Sequence, residues 1–92
     1  MTYILYKNPI QLDTLYIVQY LDYNQIFFLP NIIIERNYPY FVTDLPSIFY
    51  NNHLYSGLSE VIALYETISG ISNLLEKSNE FKQQNPKYTI KR

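Results

Sequence analysis

Two short apolar runs meet at a pair of asparagines: Ser47-Ile48-Phe49-Tyr50 precedes Asn51-Asn52, and His53-Leu54-Tyr55 follows. Asparagine tolerates the positive φ that tight hairpin turns demand, so this stretch commits the chain to an antiparallel hairpin. Gly57 comes next. Behind it Val61, Ile62, Leu64, Tyr65 and Ile68 recur at helical spacing up to Gly70, where a break or kink is expected. Ser59-Glu60 stands where the N-cap of that helix belongs. A hairpin feeding directly into an amphipathic helix needs further strands to pack with, and the N-terminal third of the chain supplies them.

Thr2 to Tyr6 is β-branched and aromatic and is stopped by the turn signal Lys7-Asn8-Pro9, so it reads as a short buried strand. Asp13 is placed to cap a helix of about two to three turns whose apolar positions are Leu15, Ile17, Val18 and Leu21, ending near Asp22-Tyr23-Asn24. The apolar run Gln25 to Leu29 then reads as a second strand, parallel to the first because a helix connects them. Residues 30–44 carry Pro39, scattered tyrosines and the pair Glu35-Arg36 without a clear period, and read as an irregular connection. After Gly70 a further helix is expected from Ile71 to about Gln84, with a frayed tail from Pro86 onward. The expectation is one α/β domain over 1–85, with a core at 1–69, an added C-terminal helix at 71–84 and a tail at 86–92.

Composition narrows the chemistry. The 92 residues include no cysteine, which excludes disulfides, thiolate metal sites and thiol catalysis. Seven Lys+Arg against eight Asp+Glu leave a net charge of -1 with no block of either sign, so polyanion binding by bulk charge is not expected. The chain is rich in Tyr, Ile, Asn and Phe and has only two glycines, the imprint of AT-rich codons, for which large DNA viruses are one source. No stretch reads as a targeting segment or a membrane span, and no glycosylation sequon occurs, so the expectation is a soluble, intracellular protein.

One run carries a family resemblance. Asp44-Leu45-Pro46-Ser47-Ile48-Phe49, then the turn at Gly57, then Ser59-Glu60-Val61 resembles the glutaredoxin pattern Thr-Val-Pro-x-Ile-Phe, a glycine turn and Ser/Thr-Asp/Glu opening the last helix. Ser59, Val61, Ile62 and Tyr65 are also similar to the start of the corresponding helix in the N-terminal domain of glutathione S-transferases. Laying Tyr3 to Tyr6 on the first glutaredoxin strand puts Gln11-Leu12-Asp13-Thr14 over the Cys-Pro-Tyr-Cys position. The resemblance implies a thioredoxin-like βαβ-ββα domain with a four-stranded mixed sheet, and a cis peptide bond at Leu45-Pro46. It also implies glutathione-like ligand contacts at Leu45, Pro46, Gly57, Ser59 and Glu60. The chain departs from the pattern twice: Gln11 and Thr14 replace both redox cysteines, and the link from Leu21 to Leu45 is too short for the usual second helix.

Each of these residues also has an ordinary role. Pro46 serves as architecture, Ser59 as a cap, His53 as an exposed turn residue, and the acidic residues as caps and solvated charges. Thr14 and Ser59 have no visible base, the sole histidine cannot build a multi-histidine metal site, and the tyrosines read as packing and interface residues rather than a nucleic-acid platform. Ile71, Leu74, Leu75 and Phe81 form an apolar stripe on a helix extra to the core and are the expected docking face for a protein partner or a second copy. The expected role is therefore a redox-inactive structural or interaction subunit, a viral particle being one assembly it would suit, with no catalytic residue, metal or cofactor. The rival is a glutathione-binding or transferase-type domain in which a hydroxyl of Thr14 or Tyr6 replaces the thiol.

Overall fold

The computed structural model describes residues 3–26 and 32–90. The elements run β1 (Tyr3–Tyr6), α1 (Asp13–Tyr23), β2 (Ile32–Ile34), β3 (Ser47–Tyr50), β4 (His53–Ser56), α2 (Leu58–Ser69) and α3 (Leu74–Gln84). The four strands form one mixed sheet in the order β2-β1-β3-β4. β1 pairs parallel with β2, Leu5 opposite Ile33, and antiparallel with β3, Leu5 opposite Ile48. β3 and β4 form the expected hairpin, with Asn51 and Asn52 at φ 55° and 61° in its turn.

Side chains alternate across a sheet, so this register sorts the strand residues into two sets. Tyr3, Leu5, Ile33, Ile48, Tyr50 and Tyr55 share one face. Leu5 and Ile48 there are shut off from solvent in a single core with Ile17, Val18 and Leu21 of α1, Val61, Leu64 and Tyr65 of α2, and Leu74 of α3. All three helices therefore lie on the same side. The rings of Tyr3 and Tyr50 stack beside this core, 4.6 Å between centroids.

Several expectations need correcting. The described second strand is Ile32–Ile34, and Gln25 and Ile26, expected to open it, are not strand. Residues 24–26 close α1 instead: the Ile26 N–H donates to the Leu21 carbonyl and the Gln25 N–H to that of Asp22, with Gln25 left-handed at φ 60°. This is a Schellman closure, and Ile26 packs onto the core beside Leu21, the apolar contact that accompanies it. Phe27, Phe28 and Leu29 lie outside the described residues. Ile32 to Ile34 escaped notice because they fell in the stretch read as irregular; from 35 to 46 that reading stands, since no helix forms there.

Neither expected N-cap forms. Asp13 is the first residue of α1 rather than its cap, and Leu12 precedes it with no side-chain capping bond. Gly57, at φ 88°, opens α2, leaving Ser59 and Glu60 exposed in its first turn. α3 begins at Leu74, not Ile71, because Gly70 and Asn73 both turn left-handed and the Glu66 carboxylate of α2 accepts the Leu74 N–H at 3.0 Å.

The C-terminal stripe is also corrected. Leu74 is fully buried and Phe81 is 6% exposed, while Ile71 and Leu75 pack half-buried against the core. α3 lies along α1, with Phe81 against Tyr20 and Tyr23. The apolar residues expected to meet a partner thus meet the chain itself. The tail does not fray over its described length: the Tyr88 hydroxyl donates to Asp22 at 2.6 Å, the Lys82 ammonium donates to the Tyr88 carbonyl at 3.2 Å, and Ile90 packs against the core.

Candidate functional site

The residues singled out by sequence converge in part, where the turn before α1 meets the loop before β3. Asn8 organises that turn: its side-chain oxygen accepts the Ile10 N–H at 3.1 Å and its carbonyl accepts the Gln11 N–H at 2.9 Å. The Gln11 side chain then bridges. Its oxygen accepts the Asn8 N–H at 2.9 Å and its amide donates to the Leu45 carbonyl at 3.0 Å. Leu45-Pro46 is a cis peptide, and Pro46 is buried. The Pro46 carbonyl accepts the Gly57 N–H at 2.9 Å, tying the start of α2 to the same loop.

Gln11, Leu45, Pro46 and Gly57 are therefore linked through hydrogen bonds that leave the side-chain amide of Gln11 engaged at both ends. A peptide carbonyl has two lone pairs, and the Gln11 amide takes one of those on Leu45, leaving less acceptor capacity for an incoming ligand. Ser59 and Glu60 stand exposed on α2, and no bond joins them to this network among the described residues.

Thr14 is 1% exposed and its hydroxyl has no partner among the described residues. Burial under the first turn of α1 leaves it poorly placed to meet a substrate. Tyr6 is 3% exposed and burial raises its hydroxyl pKa, the direction opposite to the lowering that would activate it toward a thiol. Tyr65 is fully buried and burial pushes its pKa up as well. His53 is exposed and its ring lies edge-on to Tyr55, 4.5 Å between centroids. No group of three or more His, Asp or Glu among the described residues is placed to hold a metal ion.

Sequence reasoning missed a clamp at the neighbouring end of the sheet. The Lys7 ammonium meets Glu35 at 2.9 Å, with the Lys7 side chain almost fully buried, and the Tyr38 hydroxyl sits 2.7 Å from the Lys7 carbonyl and 2.9 Å from that of Glu35. A cavity of about 210 Å³ opens beside this pair, walled by Leu5, Leu15, Val18, Ile33 and the tail residue Ile90. The signal was Glu35 directly after three isoleucines: once these are a strand in register with β1, Glu35 must lie beside Lys7.

None of the protein families, curated proteins or solved structures compared with the chain matches it. No described helix is long and apolar enough to cross a membrane.

Proposed function

We propose that the chain is a redox-inactive, glutaredoxin-like domain that serves as a structural or protein-interaction subunit. The observation that carries this reading is the Gln11 amide on the Leu45 carbonyl. The resemblance places a cysteine at position 11 and a ligand-binding backbone at Leu45. Here the first is a carboxamide and the second is occupied by it. The strand order β2-β1-β3-β4, with only β2 parallel to β1, supports the thioredoxin-like assignment. The loss of the second helix supports a role in which the sheet meets another protein rather than a small thiol.

A viral particle is one such assembly, suggested by the codon imprint and by a compact, pared-down domain. The test is isolation of the chain from its native source under mild conditions. A stoichiometric complex with another protein is the expected result. A bare monomer retaining glutathione would overturn the reading in favour of a glutathione-binding domain.

A further inference from the structure

The cavity beside Lys7 lies on the helix side of the sheet, where α1 covers the edge strand β2 incompletely. Leu5 and Ile33 line it from the sheet, Leu12, Leu15 and Val18 from α1 and the residue before it, and Ile90 from the tail. Ile33 stays 46% exposed on a face that three helices cover, as does Leu12 at the head of α1, because both border this opening. Every lining residue is described. The cavity stands at the Lys7 and Glu35 end of β1 and β2, whereas residues 27–31 join β2 at its opposite end. The tail is anchored where it passes, since the Tyr88 hydroxyl donates to Asp22 at 2.6 Å two residues before Ile90.

The charged residues lining the cavity are Lys7 and Glu35, and they face each other. The Lys7 ammonium donates to the Glu35 carboxylate at 2.9 Å; the Lys7 side chain is 6% exposed and that of Glu35 44%, so the acidic end of the pair is the one turned to solvent. The Tyr38 hydroxyl, 2.7 Å from the Lys7 carbonyl and 2.9 Å from that of Glu35, holds the two backbones together. An ammonium carries three donors and a carboxylate about four acceptor sites, and among the described residues each side chain spends one on the other. Both groups thus keep capacity at the edge of an apolar cavity.

We infer that this cavity binds a free α-amino acid with an apolar side chain of leucine to phenylalanine size. The side chain enters between Leu15, Ile33 and Ile90, the α-carboxylate meets Lys7 and the α-ammonium meets Glu35. This site goes beyond the interaction role proposed above and does not depend on it. Size sets the side chain. A cavity of about 150 Å³ with aliphatic walls holds a benzene ring. The 210 Å³ here takes an isobutyl or benzyl group with little to spare. Charge sets the head group. A simple carboxylate is drawn to Lys7 but repelled by the adjacent Glu35, and a simple amine meets the reverse. A zwitterion lies antiparallel to the pair and gains at both ends. Its charge-assisted bonds are roughly twice as strong as neutral ones, which puts an alcohol or an amide behind it. The exposed side of Glu35 lets the head group keep part of its water, so its desolvation is incomplete.

The experiment uses the full chain, isotope-labelled, with its resonances followed during titration with leucine and phenylalanine. Ligands this small are expected to bind at about 0.1 to 1 mM. Saturable shifts centred on Leu5, Leu15, Val18, Ile33 and Ile90 support the site, with N-acetylleucine, leucinamide and glycine each about tenfold weaker or worse. Leu15→Phe, which fills the cavity, should weaken leucine by about tenfold or more while the thermal transition stays cooperative. Should that change unfold the chain, Lys7→Met with Glu35→Gln removes both charges together. That variant should bind leucine about tenfold more weakly, and no better than the two blocked derivatives.

No saturable shift at about 10 mM of either amino acid, ten times the weakest affinity expected, would overturn the site. Shifts centred away from the cavity, or undiminished affinity in a folded Leu15→Phe, would do the same. Equal binding of N-acetylleucine would mean that Lys7 alone is read, and equal binding of leucinamide that Glu35 alone is; either result overturns the amino-acid assignment.

Discussion

The same four strands present two surfaces built from similar residues, and the two have different fates. On one, Leu5 and Ile48 are 0% and 1% exposed beneath three helices. On the other, their strand neighbours Ile4 and Phe49 are only half-buried, and the Phe41 ring of the following loop lies tilted to Phe49. Strand composition alone cannot produce this asymmetry, since isoleucine, leucine, phenylalanine and tyrosine occur on both sides. It comes from connectivity: β1 to β2 runs through α1, α2 and α3 follow β4, and the one link that could have carried a helix to the other side, 35–46, carries none. The buried core is thereby concentrated on one face.

That contrast can be broken most forcefully from the covered side. Leu74→Ala should cost about 2 to 5 kcal/mol in urea unfolding, the range for emptying a fully buried leucine site. Leu74→Asp with Leu75→Asp should unfold the isolated chain rather than disperse an assembly; a folded double variant would return the stripe to the surface. On the open side, Phe49→Ala should cost roughly 1 to 2 kcal/mol, because a half-buried ring has less apolar area to lose. If Phe49→Ala matched Leu74→Ala, the two faces would be energetically equivalent.

At the seam between turn and sheet, Gln11→Ala should cost about 0.5 to 1.5 kcal/mol, the net value of a hydrogen bond. It should also free the Leu45 carbonyl, which glutathione calorimetry with and without the change would register. Neither protein should turn over a glutathione mixed disulfide, since no thiolate is present in the chain.

The smallest expected effect is a pH response of the tail. The hydrogen bond to Asp22 raises the Tyr88 hydroxyl from the ordinary 10.0 to about 12. A group whose pKa is raised on folding contributes its stabilisation in full below the unfolded value. That contribution is lost as pH climbs from about 10 through about 12. Resonances of Ile90 should report release of the tail across that window, and Tyr88→Phe should remove the Tyr88 step.

What could be read in the sequence followed how local each signal was. The hairpin at Asn51-Asn52 and the helix from Gly57 to Gly70 are written in neighbouring residues, and so is the turn at Lys7-Asn8-Pro9. β2 was misplaced because Gln25 and Ile26 have the composition of a strand yet are spent capping α1, a use fixed by the helix before them. The docking stripe on α3 was misread for a nonlocal reason: its periodicity shows that one side is apolar, not whether α1 will be there to receive it. Gln11 was located by resemblance, but its bond to Leu45 joins residues 34 positions apart and has no sequence signature. The Tyr88–Asp22 bond spans 66 positions and was equally hidden.

The scarcity of glycine leaves conformational headroom at one site. Gln25, Asn37, Asn51, Asn52 and Asn73 all hold positive φ with a side chain attached. A left-handed residue other than glycine carries a strain of about 1 to 2 kcal/mol, which asparagine partly escapes through its short polar side chain. Replacing an asparagine with glycine would relieve little, and the added freedom of the unfolded chain would take back about 0.4 to 1 kcal/mol. Gln25 has no such escape. The residue that closes α1, and whose strand-like surroundings concealed that closure, is thus, among the described residues, the turn position where glycine would leave the fold firmer than it is.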